Sequence, residues 1–467
     1  MRAAPKEWRG RGAAWLTILL TFASGLPARA EAGGPGTSSA AVAPDDPVDE
    51  RQPVEVPQPG KKALSYYRTG MVLWSFNEVW GVALPAAIAF SGISARLRDG
   101  ARRAARAILL AVGLRIREAE EKGDPVGDGC AGSRLLWFLT VGLYVVAYLG
   151  LVFLIELPIA YAEGFVRPHA YGLSNQTHAK WFSDSLTHLA VAMVVGFGLT
   201  WVPYLLLRKA PRCWWAYTAA LSVPFLFVTV LVKPIWIDPL FNRFGPMQDR
   251  RLERAILDLA ARAGIEGSRV FEVDKSVDTN AVNAYVTGVL GTKRIVLWDT
   301  LLTKLNRREV LFVMAHEMGH YVLGHVVRSI LLSSVVTLAG LYLVHRLGNW
   351  LVGRYSGRLG FRSLADVASV PLLLALLHLT GLFLSPVVYA YSRIQEHEAD
   401  RFALDLTRTN HSGAMSFVKL QRENLSNPRP GPIYRIFRAS HPSIGERIDF
   451  CNSYQPSGLE PSATVEP

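Results

Sequence analysis

The sequence predicts a mainly α protein: a multi-pass membrane helical bundle enclosing a chamber, with one small α/β domain set between its spans. Three observations predict it. Half of the 467 residues are apolar and mean hydropathy is positive, the profile of a membrane protein rather than a soluble one. Six apolar segments, near 71–92, 135–158, 185–207, 215–237, 327–350 and 367–391, are long enough to cross a hydrocarbon core of about 30 Å. Between the fourth and fifth, residues 238–326 exchange unbroken apolar runs for helical and β-rich periodicities.

Residues 1–31 read as a signal peptide or anchor. Arg2, Lys6, Arg9 and Arg11 precede an apolar stretch at 13–26, and Ala28-Arg29-Ala30 makes an AxA-like cleavage site. Residues 32–66, rich in Pro, Gly, Ser and acid, read as a flexible linker, and 454–467 as a disordered tail. The stretch 101–117 has too short an apolar core and too many arginines to span, which places it at the membrane interface. Asn77, Glu78, Glu156, His188 and His378 fall inside spans. Such groups face a cavity or another helix, so together they predict a wet interior.

The net charge is +12, but its arginines flank apolar runs, a topology signal rather than a nucleic-acid footprint. Arg96, Arg98, Arg102, Arg103 and Arg106 follow the first span; Arg208, Lys209 and Arg212 follow the third; Arg354, Arg358 and Arg362 separate the last two. All three clusters fall on one side, expected to be the cytoplasm, which leaves 238–326 and the C-terminus outside. With the basic leader this predicts an integral protein of a bacterial inner membrane. Cys130, Cys213 and Cys451 show no CxxC spacing, which excludes a cysteine zinc knuckle.

Within 238–326, residues 247–265 carry helical apolar spacing with Gly264 as a stop. Residues 269–274 read as a strand, and the β-rich runs on either side of Gly288 and Gly291 read as a hairpin. Asn306, with Glu309 three residues on, makes a capping box that opens the next helix.

That helix contains "MAHEMGHYVLGH". His316 and His320, four apart, share one helical face and can grip one cation, with Glu317 beside them to polarise water. H-E-x-x-H in this context is the zincin signature, with the glutamate as general base. His325, nine residues past His316, points to the opposite side unless the helix breaks at Gly324; it reads as structural or chamber-lining. Two histidines leave tetrahedral zinc needing a third protein ligand. In "SRIQEHEADRFALDL", Glu396 and Asp400 lie four apart on one helical face, as a ligand carboxylate and a carboxylate orienting a histidine would. Ala399 is small enough for close helix packing, while His397 and Glu398 point elsewhere.

"HEMGH", "SRIQEHEADRFA" and "SHPSIGERI", in this order, resemble the type I CAAX prenyl protease family of integral-membrane zinc metalloendopeptidases. So do the preceding "PLFNRF" and "NAYVTGVLGTKRIVLWDTLL", and the resemblance spans about residues 66–453. It implies a chamber walled by membrane helices and one Zn²⁺ per chain, completed by Glu396 with Asp400 behind the ligands. It also implies that Asn283-Ala284-Tyr285 lie on an edge strand pairing with substrate backbone, that His441 helps hold the substrate or tetrahedral intermediate, and that Arg447 supports substrate binding.

Eukaryotic members of that family have seven spans and a cytosolic active domain, whereas six spans and the loop charges here place the domain outside. The expectation is therefore a membrane-embedded zinc endopeptidase acting on membrane-associated or exported polypeptides. A non-catalytic chamber or transporter using the same shell is the alternative, and it would be marked by loss of Glu317 or a ligand, none of which is lost. Oligomeric state is not legible.

Overall fold

A computed structural model describes residues 48–114, 131–232, 236–265, 269–287 and 294–456. The leader, the first part of the linker and the end of the tail lie outside the described residues.

Long helices build the bundle: α1 (Lys61–Phe90), α2 (Ile93–Ala111), α3 (Ala131–Tyr161), α4 (His178–Leu199), α5 (Trp201–Lys209) and α6 (Trp214–Val232). After the α/β domain come α9 (His325–Leu359) and α10 (Val370–Thr407). Apolar helices suit this role because a helix satisfies its own backbone polar groups where no water can. Among the described residues five helical stretches are long and apolar enough to cross a membrane: Lys61–Phe90, Gly132–Ala170, His178–Lys209, His325–Leu359 and Val367–Thr407. The segment expected at 215–237 is the shorter α6.

Of the stretch expected at the interface, residues 101–111 belong to α2 and residues 115–117 lie outside the described residues. α2 packs antiparallel along the first half of α3: Ser94 meets the Tyr144 hydroxyl at 2.6 Å, while Leu109 clusters with Leu136. Ala101 and Ala105 are buried because their small side chains let the two helices close up.

Four of the five polar residues noted in the spans meet partners. Asn77 donates to both oxygens of Glu163 at 2.9 Å, and a His378 ring nitrogen lies 3.1 Å from the Glu78 carboxylate. Gly81 makes room for that imidazole, since a Cβ there would come within 2.3 Å of it. His188 stacks on Phe241 with ring centroids 4.1 Å apart.

The three arginine clusters meet at one end of the bundle. Arg98 donates to the carbonyl of Gly360 and pairs with Asp366, and the Arg208 guanidinium sits 5.0 Å from the Trp137 ring centroid. The α/β domain sits at the other end, tied to the loop before α4. There Asn175 and Asn280 exchange side-chain hydrogen bonds of 2.7 and 3.1 Å, and Lys180 pairs with Asp278 at 3.1 Å.

The domain holds a four-stranded sheet, β1 (Phe244–Pro246), β2 (Arg269–Val273), β3 (Ala284–Thr287) and β4 (Arg294–Trp298), in the order β1-β2-β4-β3. β2 and β4 run parallel, and β3 pairs antiparallel with β4, Tyr285 opposite Val296. α7 (Arg250–Arg262) covers the sheet through Leu252, Ile256, Leu259 and Ala260. Asp249 caps it by accepting from the amides of Arg251 and Leu252, and Gly264, at φ +74°, ends it. α8 (Arg307–Val322), α11 (Asn410–Glu423) and α12 (Ile444–Ser453) complete the core. There Phe312 meets Phe417 edge-on at 5.6 Å, and a Cβ on Gly413 would come within 2.7 Å of the Phe312 ring.

The flexible-linker expectation is overturned from residue 49 onward. Glu50 accepts from the Ser412 amide and hydroxyl. Val54 exchanges two hydrogen bonds with the Asn452 side chain and enters the domain core. α1 then begins at Lys61. The segment is a strap: its polar groups match ends that α11 and α12 leave open, which composition alone does not reveal.

Candidate metal centre

α8 starts where its capping box predicts. The Asn306 side chain accepts from the Glu309 amide at 3.0 Å, and the Glu309 carboxylate accepts from the Asn306 amide at 2.8 Å. Val310, Phe312, Val313, Met314 and Ala315 are fully buried, which fixes the rotation of the helix and aims His316 and His320 at α10. The two helices cross closely because Gly319 and Ala399 are small; a Cβ on Gly319 would lie 3.3 Å from the Ala399 Cα.

At that crossing His316 Nε2 and His320 Nε2 lie 3.2 Å apart. Glu396 offers one oxygen 3.3 Å from His316 Nε2 and the other 3.4 Å from His320 Nε2. The three donors all fall within 4.8 Å of one another, a set that can hold a metal ion. Both outer ring nitrogens are engaged elsewhere: His316 Nδ1 lies 2.8 Å from Asp400 Oδ1 and His320 Nδ1 lies 2.9 Å from His325 Nδ1. This leaves both Nε2 lone pairs facing the Glu396 carboxylate, the arrangement that zinc with two imidazoles and a carboxylate requires. Glu317 is buried beside them on α8.

His441 also reaches this point, its Nε2 3.1 Å from Glu396. Residues that sequence reasoning missed hold it there. Ser392 donates to the Ser440 carbonyl at 2.7 Å, and Arg393 to the carbonyls of Arg435 and Ala439 at 2.8 and 2.9 Å. Both sit one turn before Glu396, so the helix that offers the carboxylate also carries the His441 loop.

The resemblance implied that Arg447 supports substrate binding. It is buried behind His316, its Nε donating to Asp400 at 2.8 Å and its guanidinium lying 4.1 Å from the Phe417 ring centroid. Burial opposes its charge, but Asp400 beside it raises the pKa on balance, so it stays a cation. Asn283 precedes β3, and Ala284 and Tyr285 open it; the strand lies at the sheet edge and packs beside α8. The Asn283 side chain accepts from the Ala284 amide, and burial raises the Tyr285 phenol pKa, keeping the hydroxyl neutral. Glu398 lies on another face of α10 from Glu396 and Asp400 and reaches His325 at 2.9 Å, because Gly324 breaks the helix.

A small sheet domain with an HExxH helix, mounted on a membrane bundle and completed by a carboxylate from the last long helix, defines an integral-membrane metallopeptidase. Residues 246–454 match the model of peptidase family M48, and residues 58–243 match that of the CAAX prenyl protease N-terminal region, described as five membrane helices. The chain belongs to the M48 family of CAAX prenyl protease type.

It is similar to the uncharacterized metalloprotease YhfN of Bacillus subtilis, at 38% identity over 66% of this chain and 72% of that one. It is also similar to the CAAX prenyl protease 1 homolog of Dictyostelium discoideum, at 32% identity over 72% and 76% of the two chains. The crystal structure of S. mikatae Ste24p shares the fold, with a TM-score of 0.65 and 24% identity over 83% of this chain and 87% of that one. The protein is thus a membrane-embedded metalloendopeptidase that hydrolyses peptide bonds, not a non-catalytic chamber. The family description of the N-terminal region speaks of five membrane helices where the sequence reading expected about four spans; among the described residues of that region Lys61–Phe90, Gly132–Ala170 and His178–Lys209 are long and apolar enough to cross a membrane, and α6 is a shorter apolar helix.

Proposed function

We propose that this chain is a zinc endopeptidase holding one Zn²⁺ through His316, His320 and Glu396, and that it cuts membrane-associated or exported polypeptides outside the cytoplasm. The carrying observation is the convergence of two imidazole Nε2 atoms and one carboxylate beside Glu317 and an edge strand. Zinc bound there supplies Lewis acidity, which polarises a carbonyl and acidifies water. Glu317 takes the proton of the attacking water and passes it to the leaving amine. His441, reaching the Glu396 carboxylate from the open side, donates Nε2–H to the oxyanion. Asp400 orients His316, and Arg447 holds Asp400. The substrate backbone adds to β3 at Ala284–Thr287, where an edge leaves strand hydrogen-bonding groups to be met.

Sidedness is supported by the gathering of all three arginine clusters at the end of the bundle away from the metal centre. α10 runs 26 residues from Val370 to Glu396, about 39 Å at the helical rise. An inner-membrane location follows from the same charges and the leader. Relatives named for CAAX prenyl proteolysis share the chemistry, and the side of the membrane decides the substrates. The test compares the ends of membrane and secreted peptides in cells carrying the wild type and Glu317→Gln. New ends that vanish with the variant support the reading; changes confined to cytoplasmic proteins overturn the assigned side.

A further inference from the structure

The helix carrying HExxH does not continue into α9. Gly324 adopts φ +67°, a left-handed conformation that residues with a Cβ rarely accept. The turn folds His325 back onto His320 instead of leaving it on the opposite side of one long helix. Its backbone is fixed there from α10, because Gln395 donates to the His325 carbonyl at 3.2 Å and accepts from Ser329 at 2.8 Å. The imidazole is almost fully buried.

Four polar contacts run outward in a line. His320 Nδ1 lies 2.9 Å from His325 Nδ1, and His325 Nε2 lies 2.9 Å from Glu398 Oε2. Arg328 then holds Glu398 at 2.8 Å while its Nε donates to the Tyr391 hydroxyl at 3.1 Å. Hydrogen accounting permits one arrangement of this line for a metal-holding His320. A ring that offers its Nε2 lone pair to a cation carries its proton on Nδ1 and donates from there. His325 Nδ1 must accept that bond, so the His325 proton sits on Nε2, facing a carboxylate that can only accept. Every donor meets an acceptor.

We propose that His325 and Glu398 are positioning residues for the metal, fixing the tautomer and ring orientation of His320 as Asp400 and Arg447 fix those of His316. The site is then built from two outer relays. One is a buried carboxylate on His316; the other is a histidine followed by a partly exposed carboxylate on His320. The proposal rests on His320 being a ligand, and it assigns Glu398, which no ligand pattern singles out, a share in metal affinity.

The test uses the full chain in detergent. Zn²⁺ affinity is read by competition with a chromophoric chelator, the visible absorption of the Co²⁺-loaded protein reports ligand geometry, and thermal unfolding is followed on metal-free protein. His325→Leu is expected to weaken Zn²⁺ binding by about 10- to 100-fold, the usual scale for partners behind a ligand, and to shift the cobalt bands. Glu398→Ala, changed at a partly exposed side chain, should weaken binding in the same direction. His325→Gln, whose amide oxygen can accept from His320 Nδ1, should recover most of the loss. Wild-type affinity and cobalt spectrum in both His325→Leu and Glu398→Ala would overturn the relay. So would a loss that His325→Gln fails to recover and that tracks an equal fall in metal-free stability, which would make the pair a latch between helices. His320→Ala separates the two levels: retained affinity there removes His320 as a ligand, whatever the other variants do.

Discussion

Glu317 and Glu396 are both buried carboxylates at one crossing, and the proposed mechanism gives them different work because of where their helices place them. Glu396 faces both Nε2 atoms, whereas Glu317 shares α8 with the two histidines and lies beside them. Glu317→Gln preserves shape and removes the base. Metal content measured by elemental analysis should stay at the wild-type level, while peptide cleavage falls by about 10²- to 10⁴-fold. Retained cleavage would remove Glu317 as base. Asp400→Asn acts from behind. It weakens the hold on His316, and metal affinity should fall about 10- to 100-fold. It also takes from Arg447, 3% exposed, the nearer of its two carboxylate partners, Glu396 standing at 3.7 Å. Breaking a buried pair costs on the order of 3 kcal/mol, so the thermal midpoint should drop as well, unlike that of Glu317→Gln.

At the scale of elements, α8 and its flanks were legible and the turn after it was not. Capping, apolar periodicity and the H-E-x-x-H spacing are all set within a few residues, and each is found where the sequence places it. A left-handed glycine redirects the chain by an amount that no periodicity records, so the sequence reading left His325 on the wrong side. Gly324→Ala puts this to the test. A Cβ there meets no neighbour, so its cost is conformational, about 1 kcal/mol. Metal affinity should fall with stability if the turn is what seats His325 against His320. A fall in stability with unchanged affinity would mean that the α10 contacts hold His325 without the turn.

For the whole molecule, the decisive quantity is which end of the bundle faces the cytoplasm. The arginines after α1, after α5 and around Gly360 lie together at the end opposite the metal centre, and local Lys and Arg near span ends set orientation. A reporter active only outside the cytoplasm, fused after residue 453, should therefore be active in a bacterial host, while one fused near residue 120 is silent. The reverse pattern would place the metal centre inside and make cytoplasmic proteins its substrates. At this scale composition misjudged residues 49–57: Pro and acid suggested a linker, but Val54 is buried in the core and Glu50 is bonded to α11.

The sequence by itself determined which residues share a face: His316 with His320, Glu396 with Asp400, and the two runs that pair as β3 and β4. Those relations depend on helical and strand periods, which are local. It also determined which polar residues fall within the spans and where the arginine clusters lie along the chain. Only the tertiary structure decided how α8 and α10, some 80 residues apart in the chain, rotate and cross so that their donors converge, because that angle is set by side-chain packing at Gly319 and Ala399. The same packing set Arg447 against Asp400, carried Ser392 and Arg393 under the His441 loop, and brought Glu398 to His325. Each of these contacts joins segments whose mutual orientation depends on burying apolar surface across the whole domain, information spread over many residues and held by no single motif.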